Sequence, residues 1–114
     1  MEVTFSEKLK RVIGDEGQHL PKKAGELSRW IKQRMDQMRA ANNYAEYQSI
    51  GLGKPHLLTG DLKGCFAVSL TANYRLIVRL GVDDLSAESL SKCDKVIIEG
   101  VVDYHGKKSN WLLP

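Results

Sequence analysis

The chain has few of the features that mark membrane or secreted proteins. No apolar run approaches the roughly 18 residues that a membrane-spanning helix needs. Charges interrupt the start of the chain and argue against a signal peptide, at Glu2, Glu7, Lys8, Lys10 and Arg11. With 114 residues, the chain is expected to be one cytoplasmic domain, residues 1–114, that makes no membrane contact.

Cysteine is scarce, and common catalytic signatures are missing. Cys65 and Cys93 lack the paired spacing of metal ligands, and a reducing cytosol keeps such residues as thiols, so we expect structural roles for both. A glycine-rich phosphate loop with lysine, a His-Glu-x-x-His zinc motif and a Gly-x-Ser-x-Gly elbow are all absent. Most nucleotide and metal enzymes therefore rank low, and we expect neither a cofactor nor a metal.

Apolar periodicity predicts helices in the first half of the chain. Val3 to Phe5 indicates a short opening strand, and Ser6 can start a brief helix that ends near Ile13. Lys22 to Ala41 has the spacing of one amphipathic helix. Asn42 to Pro55 is loop-like, because it contains repeated asparagine, glycine and proline.

The second half of the chain has the alternation of strands. Cys65 to Leu70 and Tyr74 to Leu80 are predicted to form a hairpin. A polar, acidic stretch from Gly81 to Asp94 follows, with a helical turn expected around Ser86 to Leu90, and Val96 to Val102 supplies the next strand. This order predicts an α+β domain with helices on one face of a sheet.

A few residues near these strands have the chemistry of metal-independent RNA cleavage. His56, Arg75, Tyr104 and His105 lie on or beside strands that a simple meander makes adjacent. Histidine can move protons near neutral pH, and arginine offers a permanent donor to phosphate. Each residue also has an ordinary explanation as a surface or packing residue, and we assign His19 a structural role.

Two separated segments resemble the signature of HigB-like toxins of the RelE/ParE superfamily. The first runs from Lys54 to Arg79 and contains Pro-His-Leu-Leu, Gly-Asp-Leu-Lys-Gly and Asn-Tyr-Arg-Leu-Ile. The second is the closing Asp-Tyr-His at Asp103 to His105. The resemblance implies a RelE-type fold, in which N-terminal helices pack on a curved antiparallel β-sheet.

The resemblance also implies a function and a set of site residues. Members of this family are toxins of type II toxin–antitoxin systems, and they cut mRNA in the ribosomal A site without a metal. The matching positions predict catalytic roles for His56, Arg75, Asp103, Tyr104 and His105. The RNA-binding residues expected from the motifs and the basic tail are Lys54, Lys63, Asn73, Arg79, Lys107 and Lys108.

The chain departs from the family pattern at three places. Thr59 replaces a family lysine, the acidic stretch from Gly81 to Asp94 is unusually long, and a C-terminal extension runs from Gly106 to Pro114. That extension could cover the site, bind RNA through its lysines, or dock a partner protein through Trp111 and the leucines that follow it.

The resemblance implies as partners the ribosome, mRNA and a helix-turn-helix antitoxin of the HigA type. Two alternatives stay open. A ParE-like protein shares the fold but inhibits DNA gyrase by binding, and it generally lacks the His and Tyr-His set. A catalytically inactive module would be retained only to bind the antitoxin.

Overall fold

The structure is a computed structural model that describes residues 1–105 and 108–114, except the side chains of Lys23, His105, Lys108 and Ser109. Helices dominate the first half of the chain and strands the second. The elements are β1 (Glu2–Phe5), α1 (Glu7–Ile13), α2 (Lys22–Gly25), α3 (Ser28–Ala40), α4 (Tyr44–Ile50), β2 (His56–Leu57), a 3₁₀ helix (Gly60–Leu62), β3 (Cys65–Ser69), β4 (Tyr74–Leu80), α5 (Ala87–Lys92), β5 (Lys95–His105) and β6 (Lys108–Leu113).

The first helix, α1, begins and ends where the sequence predicts. The Ser6 hydroxyl accepts a hydrogen bond from the Leu9 amide at 3.1 Å, which satisfies a donor that the first helical turn leaves unpaired. At the other end, Gly14 leaves the helical region with φ 87°. A positive φ costs glycine little, so the chain turns there.

The long helix predicted from Lys22 to Ala41 is in fact two helices. It breaks after Gly25, and α3 begins only at Ser28. Glycine inside a helix costs about 1 kcal/mol relative to alanine, which favours a break at that point. The apolar stripe of α3 is buried as predicted, through Ile31, Met35 and Met38. In the two described ranges, no helix is long and apolar enough to cross a membrane.

The stretch from Asn42 to Pro55 contains the helix α4, so the prediction of a loop was wrong there. The Asn43 side chain accepts a hydrogen bond from the Glu46 amide at 2.9 Å. In return, the Glu46 carboxylate accepts a hydrogen bond from the backbone amide of Asn42 at 3.1 Å. This reciprocal cap stabilises a short helix. Burial of Tyr44 and Tyr47 against the core supplies the remaining stabilisation of α4. Such tertiary burial cannot be read from the local periodicity of the sequence.

Six strands form one sheet in the order β1-β5-β4-β3-β2, and β6 also pairs with β5. All pairs are antiparallel except β1 with β5, which is parallel. The expectation of an antiparallel sheet is corrected at this edge. No hairpin links β1 to β5, so no short turn forces the two strands to run in opposite directions.

The two faces of the sheet are covered differently. The helix face carries the main core, which joins the helices to strand residues such as Phe66, Val68, Leu76, Val78, Val96 and Ile98. The opposite face, named the open face here, carries a smaller buried cluster of Cys65, Ala67, Ile77 and Val102, with Leu58, Leu62 and Tyr104 packed against it. None of the described α-helices contributes to that cluster.

A β-bulge interrupts the pairing of β4 with β5. Ile77 pairs with Gly100, whereas the next residue of β4 pairs with Ile98. Glu99 is therefore an extra residue opposite β4, the arrangement that defines a bulge.

The bulge changes which side chains of β5 reach each face. Side chains in a regular strand alternate between faces, so positions three apart point in opposite directions. Ile98 and Val101 are three apart, yet both lie in the helix-face core. Beyond the bulge, Val102 and Tyr104 consequently lie on the open face.

A methyl group at Gly100 tests the packing of β6 against the bulge. A Cβ added there would overlap the carbonyl group of Leu113, so β6 must shift. We expect Gly100→Ala to lower the free energy of unfolding by about 1–3 kcal/mol, the usual cost of overpacking. Urea unfolding measures this change.

Gly25→Ala is the matched control for that substitution. A Cβ added at Gly25 meets no atom within 4 Å, so the same chemical change should leave stability nearly unaltered or raise it slightly. Equal losses in the two variants would contradict the packing described for β6.

Candidate active site

Three of the predicted catalytic residues lie on the open face. His56 of β2 pairs with Ala67, and Ala67 pairs with Ile77 of β4. Directly paired residues of antiparallel strands share a face. Arg75 lies two residues from Ile77 along β4 and therefore on the same face. Tyr104 packs against the open-face cluster, so the fold brings His56, Arg75 and Tyr104 to one surface.

His56 is exposed at the edge of the sheet. Lys54, two residues before it, has φ 48°, a left-handed conformation that few residues other than glycine adopt. The His56 Nδ1 lies 3.4 Å from the Lys54 carbonyl oxygen. A carbonyl can only accept, so the tautomer that forms a hydrogen bond here is the one with the proton on Nδ1. In the neutral ring, Nε2 is then the nitrogen that can take up a proton.

Arg75 is anchored by the hairpin that precedes it. Its Nη1 donates hydrogen bonds to the carbonyl oxygens of Thr71, Ala72 and Tyr74 at 2.8, 3.0 and 3.2 Å. The central guanidinium carbon lies 5.7 Å from the centre of the Tyr104 ring, within the range of a cation–π contact. These contacts hold a permanent positive charge next to an aromatic ring.

Asp103 lies on the other side of the sheet from Tyr104. It pairs with Tyr74, whose ring packs against the helix-face core. Asp103 also lines a cleft with Lys22 and Glu26 of the helical layer. Neighbouring residues of a strand point to opposite faces, so the carboxylate is not grouped with His56 and Arg75.

The predicted RNA-binding residues lie at separate points around the strands. Lys54 and Lys63 are exposed, one before β2 and one before β3. Asn73 is exposed in the hairpin, and its carbonyl oxygen accepts a hydrogen bond from the Tyr104 amide at 2.7 Å. Three further predicted site residues lie outside the described part of the chain, Lys107 entirely and His105 and Lys108 by their side chains.

Arg79 forms an ion pair that the sequence analysis missed. Its Nε donates a hydrogen bond to the Glu99 carboxylate at 3.0 Å, and this bond raises the pKa of Arg79. Cys65 pairs with Arg79 across the strands, and burial raises the pKa of its thiol. The bulge supplies Glu99 to the open face, and a bulge leaves little trace in apolar periodicity.

The open face therefore offers groups that bind anions, move protons and stack on bases. Imidazole, guanidinium and phenol side chains lie there, together with the carboxylate of Glu99. Among the side chains that the structure describes, which do not include that of His105, no three His, Cys, Asp or Glu are grouped as metal ligands. The arrangement can bind the sugar–phosphate chain of RNA through its cations and bases through its aromatic ring.

Comparisons with known proteins identify the fold. No family model and no curated protein matches the chain. Among solved structures, a chain of the YoeB–YefM complex from Staphylococcus aureus is 22% identical, with a TM-score of 0.53, over 92% of this chain and 97% of that one. The YoeB/ParE toxin from Agrobacterium tumefaciens is 19% identical, with a TM-score of 0.43, over 92% and 99%. The chain has the RelE-type toxin fold.

The likeness to the Staphylococcus aureus structure extends over nearly the whole of both chains. It confirms the RelE-type α+β fold that the motifs predicted. The narrower resemblance to HigB-like toxins depends on sequence motifs alone, and it stays a prediction.

Arg75 and Arg79 lie on the same face of β4, and we expect their substitution to affect stability differently. Arg75→Met removes the hydrogen bonds to the hairpin carbonyls, and we expect it to lower the free energy of unfolding by about 1–3 kcal/mol. Arg79→Met breaks an ion pair whose side chains are 49% and 26% exposed, and it should cost less than about 1 kcal/mol. Urea unfolding distinguishes them, and an equal or reversed order would contradict the anchoring of Arg75.

Proposed function

We propose that the protein is the toxin of a type II toxin–antitoxin system and a ribosome-dependent, metal-independent mRNA endoribonuclease of the HigB-like type. The observation that carries the proposal is the gathering of His56, Arg75 and Tyr104 on the open face of a RelE-type fold. Sequence motifs and tertiary arrangement support the same surface.

His56 is proposed to move a proton during cleavage. The 2′-hydroxyl of the RNA must lose a proton as its oxygen attacks the adjacent phosphorus, and the leaving 5′-oxygen must gain one. The exposed ring of His56, with Nδ1 facing the Lys54 carbonyl, leaves Nε2 for the first of these transfers. His105, predicted from the closing Asp-Tyr-His motif, is the proposed partner for the second.

Arg75 and Tyr104 are proposed to hold the substrate. Strands β2 and β4 are separated by β3, and Arg75 lies two residues along β4 from the position opposite His56, so roughly 12 Å lies between the backbones of His56 and Arg75. The two long side chains leave space for one nucleotide between them. The guanidinium of Arg75 can stabilise charge that develops on the phosphate, and the Tyr104 ring can stack on a base.

Asp103 has no proposed contact with the substrate. Its position on the helix face, in the cleft with Lys22 and Glu26, makes it a positioning residue for the end of β5. Of the three residues of the closing Asp-Tyr-His motif, only Tyr104 and His105 are therefore proposed to be catalytic.

Dependence on the ribosome follows from the small number of groups available. The described part of the open face holds few side chains that transfer protons near neutral pH, so ribosomal RNA is proposed to fix the message in the reactive geometry. A cytoplasmic location agrees with that substrate. A toxin must also be held inactive by its producer, and a HigA-like helix-turn-helix antitoxin is the proposed partner.

Cleavage of mRNA on programmed ribosomes tests the proposal. The protein is first stripped with EDTA and returned to buffer in which the magnesium needed by the ribosome is the only divalent cation. We expect cuts in the A-site codon, and we expect His56→Ala and His105→Ala to reduce the rate by about 10²–10⁴-fold, the usual contribution of a general acid or base.

His19→Ala is the control for these histidine substitutions. His19 is exposed in the loop after α1, and its loss should leave cleavage unchanged. Naked mRNA should be cut much more slowly than ribosome-bound mRNA. If wild-type protein cuts neither, the nuclease is excluded, and inhibition of gyrase supercoiling in a parallel assay would favour a ParE-like function.

A further inference from the structure

A cleft on the open face lies where β4 and β5 approach the end of the C-terminal strand β6. Its volume is about 290 Å³, and its walls include Lys8, Leu62, Arg79, Glu99, Trp111 and Pro114. The Cα partner of Trp111 across β5 and β6 is Val102, which belongs to the open-face cluster. The extension after the Tyr-His pair therefore adds an aromatic wall to the same surface as Arg75 and Tyr104.

We propose that this cleft binds one base of the RNA, and that guanine is the base it prefers. The inference rests on the proposed function, because it places a neighbouring nucleotide of the same message beside the cleavage site. It gives the C-terminal extension a role in selecting where the message is cut.

Trp111 supplies the stacking surface. Its side chain is 47% exposed and belongs to neither core cluster, although a large aromatic ring gains free energy when it is covered. Leu62 and Pro114 line the same cleft and make it apolar enough to receive a flat base. Stacking on an aromatic ring is worth about 1–3 kcal/mol per base.

The ion pair of Arg79 with Glu99 supplies the polar edge. One carboxylate oxygen accepts from Arg79 Nε at 3.0 Å, and both side chains retain exposure, 49% for Arg79 and 26% for Glu99. A guanidinium donates and a carboxylate accepts. Guanine has a carbonyl oxygen next to two N–H groups, so it can match both partners at once. Adenine has no carbonyl oxygen, cytosine has no ring N–H, and uracil has only one N–H on that edge.

The charges of the cleft favour a base over a bare phosphate. Glu99 lies against Arg79 and repels an anion at that point, whereas a neutral base is not repelled. Lys8, at the rim of the cleft, can contact the phosphate attached to the base. Arg79 is four residues from Arg75 on one strand face, roughly 13 Å, so the bound base belongs to a neighbouring nucleotide and not to the one that is cut.

Fluorescence of Trp111 reports directly on this cleft. The chain has two tryptophans, so Trp30→Phe leaves Trp111 as the single reporter. The probes are 2′-O-methyl hexamers of uridine with one central guanine, inosine or adenine, which cannot be cleaved because the 2′-hydroxyl is blocked. We expect the guanine hexamer to quench Trp111 and to bind about tenfold more tightly than the adenine hexamer.

Two substitutions separate the stacking from the polar edge. Glu99→Gln should remove the preference for guanine over inosine and adenine while quenching persists. Trp111→Leu should weaken binding of a labelled guanine hexamer about tenfold, measured by anisotropy, in proportion to lost stacking. Trp30→Leu, which changes the other tryptophan, on α3, should leave that affinity unchanged.

These experiments test the base site and the proposed nuclease activity separately. Guanine-selective quenching without cleavage on ribosomes would support the base site and reject the nuclease. Ribosomal cleavage by a protein that binds the three hexamers equally, with no quenching of Trp111, would overturn the base site alone. Loss of binding to a partner protein in Trp111→Leu, with RNA affinity intact, would also overturn it and reassign the cleft as a protein interface.

Discussion

Backbone pairing along β5 joins β1, β4 and β6, and this single strand of 11 residues therefore determines the arrangement of four of the six strands. The bulge at Glu99 decides which face of the sheet each side chain of β5 occupies. The inserted residue reverses the alternation, so the hydrophobic side chains before and after it face the same core. The same reversal places Tyr104 beside Arg75 and moves Asp103 to the helix face. One backbone irregularity thus decides which members of a sequence motif share a surface.

Hydrogen bonds between loops and strands hold the rest of the site. The Gly53 carbonyl accepts from the Ser69 amide at 2.7 Å, and Arg34 on α3 donates to the Ser69 carbonyl at 2.8 Å. These bonds tie the segment that leads into His56 to the end of β3 and to the helical layer. Arg75 is tied to its own hairpin in the same way. Preorganised groups of this kind stabilise developing charge without reorganisation during reaction.

The C-terminal strand also protects the sheet. β1 covers residues Lys95 to Ile98 of β5, and β6 covers Val101 to His105 along the same edge. An uncovered stretch of β5 would present unpaired amides and carbonyls, which favour association between copies. Burial of Leu113 in the core fixes the end of β6. An irregularity in this pairing at Leu112 places Trp111 opposite Val102 on the open face, whereas Leu113, opposite Val101, lies in the helix-face core.

The sequence by itself determined the class of the fold. The stripe of Ile31, Met35 and Met38 and the alternation in β3 and β4 are local patterns, and local patterns follow from the helical and strand periods. The sequence motifs also predicted His56, Arg75 and Tyr104 together as site residues. Periodicity did not reveal α4, the parallel pairing of β1, the bulge, or the contact of Arg79 with Glu99. These features depend on burial and pairing between residues far apart in the chain, so only the tertiary structure could decide them.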